Sequence, residues 1–268
     1  MGWIYALNRT GGEIWQNSDF LAMKISLIVG QNNTLILGIS NNEQVFCLNG
    51  TSGQELWNKT FENTLTEIEA VDLNNDGVEE VLISCYNKLC VVNVTNGYIF
   101  WNYSAQRQIN VIDSGRVKAS SLIDVFIGSA DNKIYALNGS NGQEIWKYDF
   151  FTDIIALKTI DINNDTLTDL IAFACWDSYS ERFLRYLNAT SGTIFTERVD
   201  LSDVHIWSGC IPYNPVGIVH DMECGDIDGD GYENDLVVST EHHKMFVIKE
   251  LGTVLWQRTV QEAFTDIV

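Results

Sequence analysis

Proline is nearly absent from this chain, at 2 residues in 268. No Pro-rich or Ser/Gly-rich stretch divides it, so no linker is visible and one domain over 1–268 is expected. Basic residues are scarce: 16 Lys and Arg stand against 36 Asp and Glu, a net charge of −20. A surface of that sign repels phosphate backbones and anionic lipid, which argues against nucleic acid as a partner. No apolar run reaches the roughly 18 residues of a membrane helix, so no membrane insertion is expected within these residues. The opening Met-Gly-Trp-Ile-Tyr-Ala-Leu lacks the basic start and apolar core of a secretion signal. Also missing are a G-x-S-x-G elbow, an H-E-x-x-H helix, a glycine-rich phosphate loop and a C-x-x-C pair.

Cysteine and histidine are few, and their spacing is uninformative. Of six cysteines, Cys47, Cys85, Cys90 and Cys175 sit inside apolar strand patterns, where buried free thiols are expected. Cys85 and Cys90 flank a short hairpin and could pair; a Cys210–Cys224 bridge is also open. The histidines, His205, His220, His242 and His243, form no metal-ligand spacing, and His220, His242 and His243 read as solvated loop residues.

What the chain has is repetition. Tyr135-Ala-Leu-Asn-Gly-Ser-Asn-Gly-Gln-Glu-Ile-Trp146 recurs with variation, its last position falling at 15, 57, 101, 146, 196 and 256. A period of roughly 40 to 60 residues fits one four-stranded propeller blade per repeat. In residues 66–104 the expected strands are 67–71, 80–85, 89–94 and 98–103, with Asn96-Gly97 as a hairpin turn. The second strand is a continuous apolar run, buried on both faces. The third and fourth are read as an alternating outer hairpin. Tryptophan recurs at the end of the fourth strand, at 15, 57, 101, 146 and 256. A row of tryptophans can form a carbohydrate platform, but a fixed place in each repeat predicts packing between neighbouring blades.

The expected architecture is therefore an all-β propeller of four-stranded antiparallel blades, five complete and a partial or closing sixth. The chain starts in a third strand, and Phe264-Thr-Asp-Ile-Val268 copies Phe151-Thr-Asp-Ile-Ile155, which opens a repeat. The end pieces either combine into a closing blade or mark a segment of a larger propeller. Nine N-x-S/T sequons (Asn8, Asn32, Asn49, Asn58, Asn93, Asn102, Asn138, Asn164 and Asn188) lean toward an exported, glycosylated protein. With no export signal beside them, they favour the segment.

The pattern Ala-Leu-Asn-x-x-x-Gly-x-x-x-Trp resembles the repeat of PQQ-like, quinoprotein-type β-propellers over nearly the whole chain. That family includes quinone-dependent alcohol dehydrogenases and non-catalytic scaffolds such as the outer-membrane assembly lipoprotein.

Three acidic loops lie between first and second strands. Their donors are Asp72, Asn74, Asp76, Val78 and Glu80; Asp161, Asn163, Asp165, Leu167 and Asp169; and Asp226, Asp228, Asp230, Tyr232 and either Asn234 or Asp235. Oxygens at positions 1, 3 and 5, a carbonyl at position 7 and a later carboxylate converge on one point when the backbone wraps around it. Hard oxygen donors favour Ca²⁺, at up to three sites. The loops resemble the calcium loops of FG-GAP repeats in integrin-type propellers. Thr166 departs from the pattern where the first and third loops have Gly77 and Gly231, which puts the second site in question.

Two insertions, 176–182 and 199–224, and the 242–243 turn fall on the opposite propeller face. Trp176, Tyr179, His205, Trp207, Tyr213 and His242 are the expected binding rim, for a protein or glycan ligand. These features predict a non-catalytic, calcium-stabilised propeller outside the cell or at its surface, acting in ligand binding, adhesion or scaffolding. The alternatives are a fragment of a PQQ-dependent dehydrogenase or a periplasmic assembly-type scaffold. PQQ is not expected: the resembled dehydrogenases use a larger propeller, and many carry adjacent cysteines, which this chain lacks.

Overall fold

The computed structural model describes residues 3–29, 34–40, 42–118, 122–150, 153–161, 166–175, 183–194, 199–200, 219–240, 244–249 and 253–259. Among them are twenty-two β-strands and no helix, hence no helix long and apolar enough to cross a membrane. Contacts group the chain into two compact units, residues 1–109 with 139–143, and residues 110–138 with 144–268.

The first unit opens with a two-stranded hairpin, β1 (Ile4–Leu7) and β2 (Glu13–Asn17). Two four-stranded blades follow. One is β3 (Ala22–Val29), β4 (Thr34–Ser40), β5 (Gln44–Asn49) and β6 (Glu55–Thr60). The other is β7 (Leu65–Val71), β8 (Glu80–Cys85), β9 (Lys88–Asn93) and β10 (Ile99–Ser104). The second unit holds three blades. They are β11 (Ile109–Gly115), β12 (Asp124–Ser129), β13 (Lys133–Leu137) and β14 (Glu144–Asp149); β15 (Ile154–Ile160), β16 (Leu170–Cys175), β17 (Phe183–Asn188) and β18 (Val199–Asp200); and β19 (Val219–Gly225), β20 (Asp235–Thr240), β21 (Lys244–Lys249) and β22 (Thr253–Thr259). In each blade the strands lie side by side in chain order, the up-and-down antiparallel arrangement of the β-propeller class. The five blades and the N-terminal hairpin match the repeat count. The C-terminal strand expected at 264–268 lies outside the described residues.

Burial follows the strand number. Every residue of β8 and β12 is buried. The third strands β5, β9 and β13 are also buried along both faces, not alternating as the sequence pattern predicts. The fourth strand β10 alternates from end to end. Side chains of successive blades interleave over the third strand as well as the second. Leu37, Cys47 and Trp57 pack with Ile68, Val81 and Cys90. In the second unit, Ala156 and Tyr186 pack with Met222, Leu236 and Phe246.

The repeated tryptophan fastens one repeat to the next. The indole Nε1 donates to a backbone carbonyl in the following turn: Trp15 to Gly50 at 2.9 Å, Trp57 to Val94 at 2.7 Å, Trp101 to Gly139 at 2.9 Å and Trp146 to Ala189 at 2.9 Å. The ring lies over the turn glycine. A Cβ added to Gly97 would stand 2.8 Å from the Trp57 ring, and one added to Gly192 2.5 Å from Trp146. These glycines also hold φ of 68° and 67°. Only glycine meets both demands, which explains the Gly-x-x-x-Trp spacing. The turn is longer than the Asn96-Gly97 signal implies: Asn93 N–H bonds Tyr98 O, and of the pair only Gly97 has positive φ. Trp256 is 42 % exposed, unlike the docked tryptophans.

Cys47, Cys85, Cys90 and Cys224 are free thiols. Register rules out a Cys85–Cys90 bridge, because Cys85 pairs with Lys88 and Cys90 with Ile83. Burial pushes the Cys47 thiol up to about 12 and Cys90 to about 11, so neither is a nucleophile at neutral pH. Cys210 lies outside the described residues.

Candidate functional site

The first acidic loop runs from the end of β7 to the start of β8 and is held by its own carboxylates. Asp72 accepts from Gly77 N–H at 2.8 Å, Asn74 Oδ1 from Asp76 N–H at 2.8 Å, and Asp76 from Val78 N–H at 2.8 Å. Glu80 turns back to accept from Leu73 N–H at 3.0 Å and from the Asn74 amide at 3.1 Å. Asn75 and Gly77 take positive φ, 60° and 82°, and so wrap the chain around the acids. Burial raises the Glu80 carboxyl above its ordinary range; the Leu73 N–H opposes this, while Asp76 and Asp72 add to it. Glu79 is raised by burial and by Asp72.

The third loop, between β19 and β20, repeats this geometry. Asp226 accepts from Gly231 N–H at 3.0 Å, Asp228 from Asp230 N–H at 3.1 Å, and Asp230 from Tyr232 N–H at 2.9 Å. Gly229 and Gly231 hold φ of 78° and 91°. The carboxylate that turns back on this loop is Asp235. Its Oδ2 accepts from Ile227 N–H at 3.0 Å, the bond Glu80 makes to Leu73, and from Asp228 N–H at 2.9 Å. Asp235 is fully buried, and among the described residues its Oδ1 has no hydrogen-bond partner. Ligand oxygens of Asp226, Asp228 and Asp235 lie within 4.8 Å of one another. A buried carboxylate oxygen without a donor is costly. A hard divalent cation among these oxygens would satisfy it, so the donor set fits calcium in type, charge and convergence.

In the second loop the described residues are Asp161 and 166–169; Asn163 and Asp165 lie outside them. Asp161 accepts from Thr166 N–H at 2.6 Å, the same position-1 to position-6 bond. Thr166 holds φ of 72° there, so a β-branched residue has been forced into the glycine conformation. Thr166→Gly is therefore expected to stabilise the chain by about 1 kcal/mol, relief of strain exceeding glycine's extra unfolded-state entropy. Urea denaturation checks this; a lower midpoint for the glycine variant would show that the loop is not strained.

None of the binding-rim residues, Trp176, Tyr179, His205, Trp207, Tyr213 and His242, lies within the described residues. Beside the first loop, Asn74, Glu80, Trp101 and Ser140 border a pocket of about 120 Å³. That is small against the roughly 300 Å³ at which organic-ligand clefts begin.

Two charged features escaped the motif search. Lys249, the last residue of β21, ion-pairs with Asp228 and also reaches Asp230 at 3.3 Å. Hydrogen bonding to Lys249 holds the Asp228 carboxyl below its usual range. The contact also places the acidic loop beside the C-terminal end of β21. The second feature is an ionic ladder across three first strands. Lys158 on β15 lies 4.0 Å from Asp113 on β11 and 2.8 Å from Glu223 on β19. Burial alone would pull the Lys158 ammonium down, but Asp113 and Glu223 hold it above the ordinary lysine value. The legible signal was position: Lys158 and Glu223 each stand three residues before the first acid of a loop.

The profile of a PQQ-like repeat family described as outer membrane protein assembly factor BamB matches residues 1–205. No curated protein matches the chain. Among solved structures, Sqt1 of Saccharomyces cerevisiae superposes with a TM-score of 0.73 at 9 % identity, over 97 % of this chain and 69 % of that one. The computationally designed protein Ika8 gives 0.61 at 14 % identity, over 96 % and 68 %. At such identities the likeness is one of fold alone.

Proposed function

This chain belongs to the PQQ-like repeat family described as outer membrane protein assembly factor BamB, and on that premise we propose that it is a non-catalytic, calcium-stabilised propeller serving ligand binding or scaffolding. The observation that carries the metal is Asp235. Its buried carboxylate caps the third loop with one oxygen and leaves the other without a donor, beside Asp226 and Asp228. In this reading Asp226, Asp228 and Asp235 hold the ion in the third loop, and Asp72, Asn74, Asp76 and Glu80 hold it in the first. Calcium supplies charge neutralisation there, which stabilises each loop by linkage.

The sequons favour an extracellular or cell-surface setting, and Asn58 and Asn102 stand exposed on the fourth strands β6 and β10. The family's description, an assembly factor of the outer membrane, favours scaffolding of other polypeptides over adhesion.

The test is a melting curve in calcium and in chelator. At 100 times the dissociation constant one site adds about 2.7 kcal/mol. That corresponds to a Tm gain of roughly 5–10 °C for a chain of this size. Asp235→Asn should lose part of the gain. Identical melting in calcium and chelator would sink the metal reading.

A further inference from the structure

The third-strand end in the last blade breaks the repeat. β5, β9 and β17 end in Asn49, Asn93 and Asn188, whose Oδ1 atoms cap the following turn by accepting from Thr51, Thr95 and Thr190 N–H. β21 ends in Lys249 instead, and its side chain reaches the acidic loop. The loop has changed at the matching point. Position 3 is Asn74 in the first loop and Asn163 in the second, but Asp228 in the third, and Asp228 is the carboxylate Lys249 grips. Two neutral residues have become an ion pair.

Counted at the donor positions alone, the charges balance. The first loop has Asp72, Asp76 and Glu80 there, and the second Asp161, Asp165 and Asp169, three negative charges each, with Glu79 outside the donor positions. The third has Asp226, Asp228, Asp230 and Asp235, four, with Glu233 outside them, and the ammonium of Lys249 returns the donor sum to three. Lys249 bonds the Oδ2 atoms of Asp228 and Asp230, whose Oδ1 atoms accept from backbone N–H groups. Asp235 Oδ1 it leaves without a donor. The ammonium therefore covers one side of the cluster and not the buried side.

We infer that Lys249 is a tethered counter-ion that sets the cation affinity of the third loop. It holds Asp228 and Asp230 together in the metal-free chain and gives way to a divalent cation seated against Asp235. This rests on the calcium reading proposed above. Its consequence is opposite in sign for the two states. Without metal the ammonium stabilises the loop, because it offsets repulsion among four carboxylates. With metal it competes for two of the same carboxylates and weakens binding, since loop affinity follows net ligand charge.

Calcium titration calorimetry on the full chain tests this, in an Asp72→Asn background that disables the first loop. The site lost on Asp235→Asn is the third loop. Lys249→Gln should tighten that site about tenfold by removing the competing charge, while Lys249→Arg, which keeps the charge, should leave it within about twofold. Melting curves supply a second readout. Lys249→Gln should melt below the parent chain in chelator and at or above it in excess calcium. Calcium binding that is equal with and without the ammonium would overturn the inference while leaving the calcium reading intact. Absence of calcium binding in every form would overturn both.

Discussion

Trp57→Ala is expected to cost about 3–5 kcal/mol, the range for deleting a buried large aromatic side chain. The residue is 8 % exposed, lies over Gly97 and donates to Val94 O at 2.7 Å. Removal opens a cavity against a glycine that has no side chain to fill it, and strips the Val94 carbonyl of its donor. Gly97 cannot be enlarged in compensation, because its φ of 68° disfavours any Cβ. Trp57→Phe keeps part of the ring contact but loses the N–H, and should forfeit less. Trp256→Ala is the control: at 42 % exposure that side chain should change stability by no more than about 0.5 kcal/mol. Urea unfolding reads the difference as a lower midpoint at unchanged slope. Equal midpoints for the two alanine variants would refute the interlock.

Lys158→Met should be comparably damaging, about 3–5 kcal/mol, for an electrostatic reason. The ammonium is flanked by Asp113, itself only 8 % exposed, and by Glu223. Removing it leaves a buried carboxylate supported by hydrogen bonds from Thr159 and Ser114 but by no positive charge on its own side of the ladder. Burial already raises the Asp113 carboxyl, and Lys158 is the main force holding it down. Without Lys158 the folded-state value rises further above the unfolded one. An acid raised in this way binds its proton more tightly when folded, so stability is gained as pH falls and lost as pH rises through the folded value. The deficit of Lys158→Met should thus shrink as pH falls from neutrality toward about 4. Adding Asp113→Asn should restore much of the loss at neutral pH, because the uncompensated charge is gone. A double-mutant cycle by urea unfolding measures the coupling. Additive losses would mean that the ladder is only a chance alignment of charges.

Most of the architecture was legible because a repeat is a one-dimensional signal. The strand order of residues 66–104, the N-terminal hairpin and the packing role of Trp15, Trp57, Trp101 and Trp146 all follow from spacing. So does the placement of the acidic loops between first and second strands. The third strand was misread as half-exposed because Lys88 and Asn93 bracket its apolar run, whereas packing between blades covers both of its faces. In the third acidic loop the spacing left Asn234 and Asp235 equivalent. One extra residue can be absorbed anywhere in a turn, and the hydrogen bonds from Ile227 and Asp228 N–H show that Asp235 is the residue that turns back on the loop.

Taken alone, the sequence determined what is local or periodic: an all-β chain of antiparallel blades, tryptophans that pack between neighbouring blades, and carboxylates at alternate positions of three loops. Those features depend on neighbours within a few residues or one period away, and the order of residues along the chain states them directly. Only the tertiary structure decided what depends on distance in space: the grip of Lys249 on Asp228, the Asp113–Lys158–Glu223 ladder, and the donorless Asp235 oxygen. The residues of the two ion-paired sets lie some twenty or more positions apart. Their charges act through space, where separation and burial, not order along the chain, set the energy.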